Sequence, residues 1–217
     1  MALGGRRVIG QYRDLGWRAR AYLWVRWLIC PFDRILALVP ETGRLLDVGC
    51  GSALWLTYLA LERKGLELHG VDPDARKMAL AARSSAAAHL ELRQGLVEEA
   101  PTESFDLVTI LDVLCLVPDD VKAGMLRASW RALEVGGSIV VKDADTRPWW
   151  KYAPTAFEEF LAVHVLRMTV GRPHFASIED LSRMLESAGF QDVVAERIDR
   201  GYLHPHVVLS GKKKRGG

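Results

Sequence analysis

Residues 45–54 read LLDVGCGSAL, and this stretch decides the fold class of the chain. A short apolar run ends at the acidic residue Asp47, Gly49 and Gly51 follow with one residue between them, and a helix-forming segment comes next. A short apolar run beside glycine is typical of a buried strand. Glycine lets the chain turn sharply and lets a ligand approach the backbone. The stretch therefore predicts a strand, a ligand-binding turn and a helix. The ligand is either a dinucleotide or a nucleoside that carries no phosphate.

Strand and helix patterns alternate along the chain after this turn. Further strand-like runs occupy residues 67–71, 89–93, 104–114, 137–143, 192–198 and 206–212. Helix-like runs occupy residues 52–65, 73–88, 119–137 and 177–190. In the first helix Leu54, Tyr58 and Leu61 fall on one face, and Gly136 is expected just beyond the end of the third. Repeated βαβ units predict an α/β fold with a parallel sheet and helices on both faces, and the closing strand pair predicts an antiparallel edge.

The chain divides into a central domain and three additions. Residues 1–39 predict a helical extension, residues 40–211 the ligand-binding domain, and residues 212–217 a basic, solvated tail. Residues 146–176 interrupt the alternation and predict a helical insertion over the substrate site. It begins near Trp149 and Trp150, which either wall an apolar or aromatic substrate or pack the inserted helices together.

Composition excludes several classes of protein. Apolar residues make up 49% and charged residues 26%, which is typical of a globular chain. The net charge of +2 and the lack of a basic stripe argue against a nucleic-acid partner. Three widely spaced cysteines, Cys30, Cys50 and Cys115, indicate neither a disulfide framework nor a metal site, and they favour a reducing, cytoplasmic setting. No pair of histidines and carboxylates has metal-ligand spacing.

The glycine turn departs from the dinucleotide fingerprint. That fingerprint places a third glycine, or a close alanine variant, where this chain has Leu54. The small residue comes one place earlier, so the pattern reads Asp47-x-Gly49-x-Gly51-x-Ala53. An acidic residue at the end of the next strand, Asp72, suits a ribose because a carboxylate accepts hydrogen bonds from both hydroxyls. The other interpretation of Asp72 is a cap of the following helix.

These motifs resemble those of class I S-adenosylmethionine-dependent methyltransferases. Besides the glycine turn, SFDLVTILDVLCLVPDD and RALEVGGSIVVKD are similar to later motifs of that family. The resemblance implies a Rossmann-like, seven-stranded, mostly parallel sheet with an antiparallel last strand. It implies S-adenosylmethionine as cofactor, with Asp47 facing the ammonium and Asp72 the ribose. The cofactor-binding residues that it implies are Asp47, Gly49, Cys50, Gly51, Asp72, Pro73, Leu96, Val97 and Leu111.

Two positions depart from the family pattern. Family members often carry an acidic residue after the third strand that contacts the adenine amino group, whereas this chain reads Gln94-Gly95-Leu96-Val97. Adenine is then held by backbone and apolar contacts, or by Glu98. Cys115 stands near the end of the fourth strand, where many relatives have histidine.

The sequence therefore predicts a methyltransferase that acts on a small, apolar or aromatic, lipid-like acceptor. Candidates for a general base are Asp112 after the fourth strand, Asp143 and Asp145 after the fifth, and His174. The alternatives are a binding module without turnover and, against the evidence of Leu54, an NAD-dependent oxidoreductase. The arginine- and tryptophan-rich extension either covers the sheet or makes peripheral contact with a membrane. The oligomeric state is not predicted.

Overall fold

The computed structural model describes residues 2–144, 174–202 and 205–215. Within these ranges the strands form one seven-stranded sheet in the order β3-β2-β1-β4-β5-β7-β6. The strands are β1 Thr42–Val48, β2 Gly65–Asp72, β3 Leu90–Gln94, β4 Phe105–Leu111, β5 Leu133–Ala144, β6 Gln191–Arg197 and β7 His206–Lys212. β7 runs antiparallel to both of its neighbours, and the other strand pairs are parallel. The predicted fold class is confirmed.

Helices cover both faces of this sheet. They are α1 Ala2–Ile9, α2 Trp17–Ile29, α3 Phe32–Leu36, α4 Leu54–Glu62, α5 Ala75–Ala81, α6 Asp119–Ala132 and α7 Ile178–Ser187. One core contains side chains of α1 to α5 against one face, and a second core contains side chains of α6 and α7 against the other. Alternate residues of the central strands serve the two cores, so Leu45 lies in the first and Leu46 in the second.

The strand register gathers the functional candidates at one edge of the sheet. Val48 pairs with Val71, Asp72 with Gln94, and Leu111 with Lys142. The carboxyl ends of β1 to β5 therefore lie side by side. In open α/β sheets, ligands bind beyond such ends.

The N-terminal helices pack directly on α4. Trp27 of α2 meets Tyr58 edge-on at 4.9 Å between ring centroids, and Phe32 of α3 stacks on Trp55 at 5.6 Å. As a result every residue from Leu54 to Ala60 is buried. Leu54 and Tyr58 lie in the first core and Leu61 packs against it, as expected, but the outer side of α4 is buried as well, because α1 to α3 cover it.

The boundary between α6 and β5 also differs from the expectation. The helix ends at Ala132, and the strand begins at the next residue, whose side chain is buried beside Phe105. Gly136, expected beyond the helix end, lies inside β5 with a φ of +94° and donates to the carbonyl of Lys213. The register of β4 against β5 shifts just before this point, so Gly136 accommodates an irregularity in the strand.

The basic tail is only partly solvated. Lys212 belongs to β7, and Lys213 is buried, with its Nζ donating to the Leu133 carbonyl at 2.8 Å and lying over the Trp130 ring. Most of the predicted insertion at 146–176, including Trp149 and Trp150, lies outside the described residues. Across the described ranges, no helix combines the length and hydropathy needed to cross a bilayer.

Candidate active site

The glycine turn after β1 has the backbone that its sequence predicts. Gly49 and Gly51 have φ values of +73° and +55°. Gly49 cannot be replaced without strain, because a Cβ there would lie 2.5 Å from a methyl group of Val113. Ala53 also has a positive φ, +56°, and takes the small-residue position of the motif at a cost that glycine would avoid. Helix α4 begins at Leu54, two residues later than the expected start near Ser52.

Asp47 is a buried carboxyl beneath this turn. It is 3% exposed, and the Thr109 hydroxyl donates to its Oδ1 at 2.7 Å. Burial, together with the nearby charge of Asp72, raises the pKa of Asp47 to about 7. It makes no ion pair with any residue of the described ranges. A ligand ammonium placed here would stabilise the ionised form, so the residue fits the amino-acid end of S-adenosylmethionine.

Asp72 closes the turn from the end of β2. Its Oδ2 accepts the Gly51 N–H at 2.9 Å, and its Oδ1 accepts the Asp74 N–H at 2.8 Å. The helix-cap interpretation of Asp72 is wrong, since Asp74 caps α5 by accepting the N–H groups of Arg76 and Lys77. Asp72 therefore sits at the strand end, fixed to the glycine turn, where a nucleoside ribose would approach.

The remaining cofactor candidates differ in their exposure to solvent. Pro73 and Leu96 are exposed beside the ends of β2 and β3, whereas Val97 and Leu111 are buried in the cores on opposite faces of the sheet. Leu96, at 52% exposure, is the apolar side chain there with free surface for an adenine ring. Glu98 is exposed on a short 3-10 helix that packs on α6.

Cys50 takes part in the turn through its backbone. Its N–H donates to the Val71 carbonyl, as does that of Gly49. Its thiol points inward, 3.9 Å from the Met78 sulfur, and burial raises its pKa. The prediction of Cys50 as a cofactor contact therefore concerns its main chain.

Asp112 is held in an ion-pair network. It accepts from Arg26 of α2 at 3.0 Å and from Lys142 of β5, whose side chain is fully buried in the sheet edge. Burial alone raises the pKa of Asp112, but the charges of Lys142 and Arg26 outweigh it and hold the pKa well below its ordinary value. A carboxylate that stays ionised and doubly paired is a weak proton acceptor. Its geometry instead ties the N-terminal helices to the ends of β4 and β5.

Asp143 follows Lys142 in β5, and the pKa of its carboxyl is shifted in the opposite direction to that of Asp112. It is 2% exposed, and it accepts the Cys115 N–H at 2.9 Å and its own neighbour's N–H at Ala144. Burial and the charge of Asp112 raise the pKa of Asp143 to about 6. Of the two carboxylates, Asp143 is the one that can take up and lose a proton near neutral pH.

His174 reaches the same edge from the far side of the chain. Its backbone N–H donates to the Cys115 carbonyl at 2.7 Å, and its own carbonyl accepts from buried Lys122. The imidazole is exposed. The structure thus places Asp112, Asp143 and the backbone of His174 at the same strand ends, where the main chain of Cys115 is hydrogen-bonded to both Asp143 and His174. Asp145 lies outside the described residues.

Several residues that support the site were not predicted from the sequence. Arg26 interrupts an apolar run and Lys142 directly follows one, which is the signal that a buried charge has a partner. Thr109 and Tyr12 gave no such signal. Tyr12 is fully buried, and its hydroxyl donates to the Ser52 carbonyl at 2.8 Å and lies 2.9 Å from the Thr57 hydroxyl. Tyr12 thereby supports the glycine turn from the N-terminal extension.

Comparison with known proteins agrees with the fold. A family model described as a methyltransferase domain matches residues 17–195. The ubiquinone biosynthesis O-methyltransferase of Pseudomonas putida is 29% identical over 154 residues, which cover 68% of this chain and 64% of that protein. The demethylmenaquinone methyltransferase of Lactiplantibacillus plantarum is 29% identical over 188 residues, which cover 76% of this chain and 78% of that protein.

A solved structure shares the same architecture over nearly the whole chain. The SAM-dependent methyltransferase of Thermotoga maritima superposes with a TM-score of 0.62 at 20% identity, covering 98% of this chain and 92% of that one. With the motif geometry and the family match, this chain belongs to the methyltransferase domain family, in the class I S-adenosylmethionine-dependent group. The chain spans less than two thirds of the Pseudomonas putida relative.

Proposed function

We propose that the protein transfers a methyl group from S-adenosylmethionine to a small, apolar or aromatic acceptor. The observation that carries this proposal is the joint placement of Asp47, Asp72 and the Gly49–Gly51 turn at the ends of β1 and β2. A dinucleotide would place a pyrophosphate at this turn, next to two carboxyls. A sulfonium nucleoside instead brings an ammonium and two ribose hydroxyls to them.

Each cofactor contact follows from the chemistry of the residue. Asp47 holds the ammonium, and Asp72 accepts the ribose hydroxyls while the Gly51 N–H keeps its carboxylate in place. Pro73 and the exposed Leu96 flank the adenine, and Val97 and Leu111 are its other proposed apolar neighbours. Hydrogen bonds to a charged group contribute about 1.5–3 kcal/mol each, so Asp72 is the largest single contributor to affinity.

The acceptor site lies over the ends of β4 and β5. The bound cofactor supplies an electrophilic methyl group with a good leaving group, so the protein contributes mainly orientation. Asp143 takes the proton of an acceptor hydroxyl, because the pKa of its carboxyl is raised to about 6. Asp112 stays ionised and positions Arg26 and Lys142 around the reacting groups. His174 lines the outer side of the site.

The class of acceptor is supported by the relatives. One is named as an O-methyltransferase of ubiquinone biosynthesis and the other as a methyltransferase of demethylmenaquinone. The chain's near-neutral net charge of +2 agrees with a small acceptor rather than a nucleic acid. We therefore favour a phenolic, lipid-like acceptor methylated on oxygen.

A turnover assay separates catalysis from binding alone. The protein is incubated with S-adenosylmethionine and a panel of short-chain catechols, hydroquinones and amines, and adenosylhomocysteine release is measured. We expect release with a phenolic acceptor, and about a 10²-fold to 10⁴-fold loss of the rate in Asp143→Asn with adenosylhomocysteine affinity kept. An unchanged rate in Asp143→Asn would remove it as the base. Cofactor binding without turnover across the panel would favour the binding-module alternative.

A further inference from the structure

Helix α2 carries two separate apolar stripes. Its inner side carries Leu23 and Trp27, both buried in the core. A second stripe, Trp17, Ala21, Trp24 and Leu28, follows the spacing i, i+4, i+7, i+11 and so lies along one line of the helix surface. Trp17 is 75% and Leu28 53% exposed, and Trp24 is half-buried against α1. We call these four residues the outer stripe.

Arginines flank the outer stripe. Arg18 and Arg20 are exposed on either side of it, and the Arg18 guanidinium lies 5.4 Å from the Trp17 ring centre. Arg6 and Arg13 are exposed on the neighbouring turns. Within the described ranges, Arg18 and Arg20 form no ion pair, so their charges remain available to a partner.

The charge of this surface contrasts with the rest of the chain. Residues 1–30 contain six arginines and one acidic residue, Asp14, whereas the whole chain carries a net charge of only +2. The remaining residues therefore have a net negative charge. The positive charge is concentrated where the large apolar side chains are exposed, which is the composition of a helix that lies in a membrane interface.

We propose that the outer stripe and its flanking arginines dock this protein on an anionic lipid bilayer. Trp17 and Leu28 enter the boundary between head groups and acyl chains, where tryptophan is favoured. Arg18 and Arg20 bind the lipid phosphates while their aliphatic stems lie along the apolar surface. An acidic protein surface would satisfy the arginines, but exposed tryptophan and leucine between them fit a lipid interior better.

The position of α2 connects this surface to the active site. The inner side of the same helix places Arg26 on Asp112 at the end of β4, 3.0 Å away. A bilayer bound to the outer stripe therefore lies one helix away from the strand ends that form the proposed acceptor site. This arrangement suits an acceptor that resides in the membrane, but docking itself does not depend on the proposed reaction.

Vesicle co-sedimentation of the full chain tests the docking. Phosphatidylcholine vesicles with about one third phosphatidylglycerol are compared with pure phosphatidylcholine vesicles. Each arginine near an anionic lipid surface is expected to raise the binding constant severalfold. We expect binding to the anionic vesicles that weakens with added salt. Arg18→Glu/Arg20→Glu and Trp17→Ser/Leu28→Ser should each reduce the partition coefficient about tenfold or more.

Matched controls come from a different face of the fold. Arg127→Glu/Arg131→Glu makes the same charge change on the exposed side of α6, and Val194→Ser removes an exposed apolar group from β6. These variants should bind like wild type, and thermal unfolding by circular dichroism checks that every variant is folded. The proposal fails if wild type does not bind anionic vesicles, or if the control variants lose as much binding as the α2 variants. It also fails if gel filtration shows a dimer that Trp17→Ser/Leu28→Ser dissociates, because the occupant is then a second copy.

Discussion

Cofactor binding is predicted to release a proton from Asp47. In the unliganded protein, burial and the charge of Asp72 raise the pKa of Asp47 to about 7. An ammonium placed against the carboxylate favours the ionised form and lowers that pKa again. The free energy of binding must then include the loss of the proton wherever the unliganded carboxyl is protonated.

The size of the effect follows from the pKa. At pH 6 about nine tenths of the unliganded carboxyl is protonated, so adenosylhomocysteine should bind about tenfold more weakly than at pH 8. Asp47→Asn keeps an oxygen that accepts from the Thr109 hydroxyl but cannot ionise. Its affinity should be lower at pH 8 and nearly independent of pH down to 6. Because Asp143 also has a raised pKa, the difference between the two proteins, not wild type alone, reports Asp47.

Stability supplies an independent test without ligand. The folded state keeps the Asp47 proton to a higher pH than the unfolded chain does. The contribution of Asp47 to the free energy of unfolding is therefore full below about pH 3.8 and is lost as the pH rises through about 7. Wild type should therefore lose stability relative to Asp47→Asn between pH 4 and 7, by up to about 4 kcal/mol. Calorimetric titrations in buffers of different ionisation enthalpy measure the released proton, and urea denaturation measures the stability. Equal pH dependence of the two proteins in both assays would refute the reasoning.

Three further substitutions test the supports of the site. Asp112→Asn tolerates the φ of +57° but leaves Arg26 and Lys142 without their anion. Urea denaturation should therefore show that the free energy of unfolding falls by about 3–5 kcal/mol. A loss below about 1 kcal/mol would mean that the network does not stabilise the fold. Tyr12→Phe leaves the Ser52 carbonyl without its donor and should cost about 1–3 kcal/mol in the same assay and weaken adenosylhomocysteine binding; unchanged binding would separate Tyr12 from the turn. Gly49→Ala forces a positive φ and a contact with Val113, so calorimetry should detect little or no adenosylhomocysteine binding; wild-type affinity would contradict the predicted role of the turn.

Local signals in the sequence predicted most of the fold. Short apolar runs beside glycine gave the central strands, because strands buried on both faces need no alternation. The predicted helix-like run from residue 177 corresponds to α7, where the Ser177 hydroxyl caps the helix by accepting the Asp180 N–H at 3.1 Å. Gly189 lies just beyond the end of this helix with a φ of +105°.

The differences arose where distant segments meet. The burial of α4 on all sides depends on α1 to α3, which contact it from positions more than 20 residues away. The end of α6 is set by the pairing of Leu133 with Phe105, which overrides the glycine signal at Gly136. Neither contact leaves a mark in the local pattern of residues.

Some residues of the site could also be predicted from local sequence, whereas others depend on distant contacts. Asp47 and Asp72 could be found from their places at strand ends, since topology alone brings neighbouring parallel ends together. The different states of Asp112 and Asp143 could not, because the low pKa of Asp112 depends on Lys142 and on Arg26, which is 86 residues away in sequence, and the raised pKa of Asp143 depends on burial and the charge of Asp112. Sequence proposed both residues as bases, and only their three-dimensional partners distinguish them.

Calorimetric binding of adenosylhomocysteine and NADH to wild type and Asp72→Ala distinguishes a methyltransferase pocket from a dinucleotide pocket. We expect that wild type binds adenosylhomocysteine and not NADH, and that Asp72→Ala loses most of this affinity while remaining folded. Binding of NADH without adenosylhomocysteine, or an Asp72→Ala variant that binds adenosylhomocysteine as wild type does, would contradict this expectation.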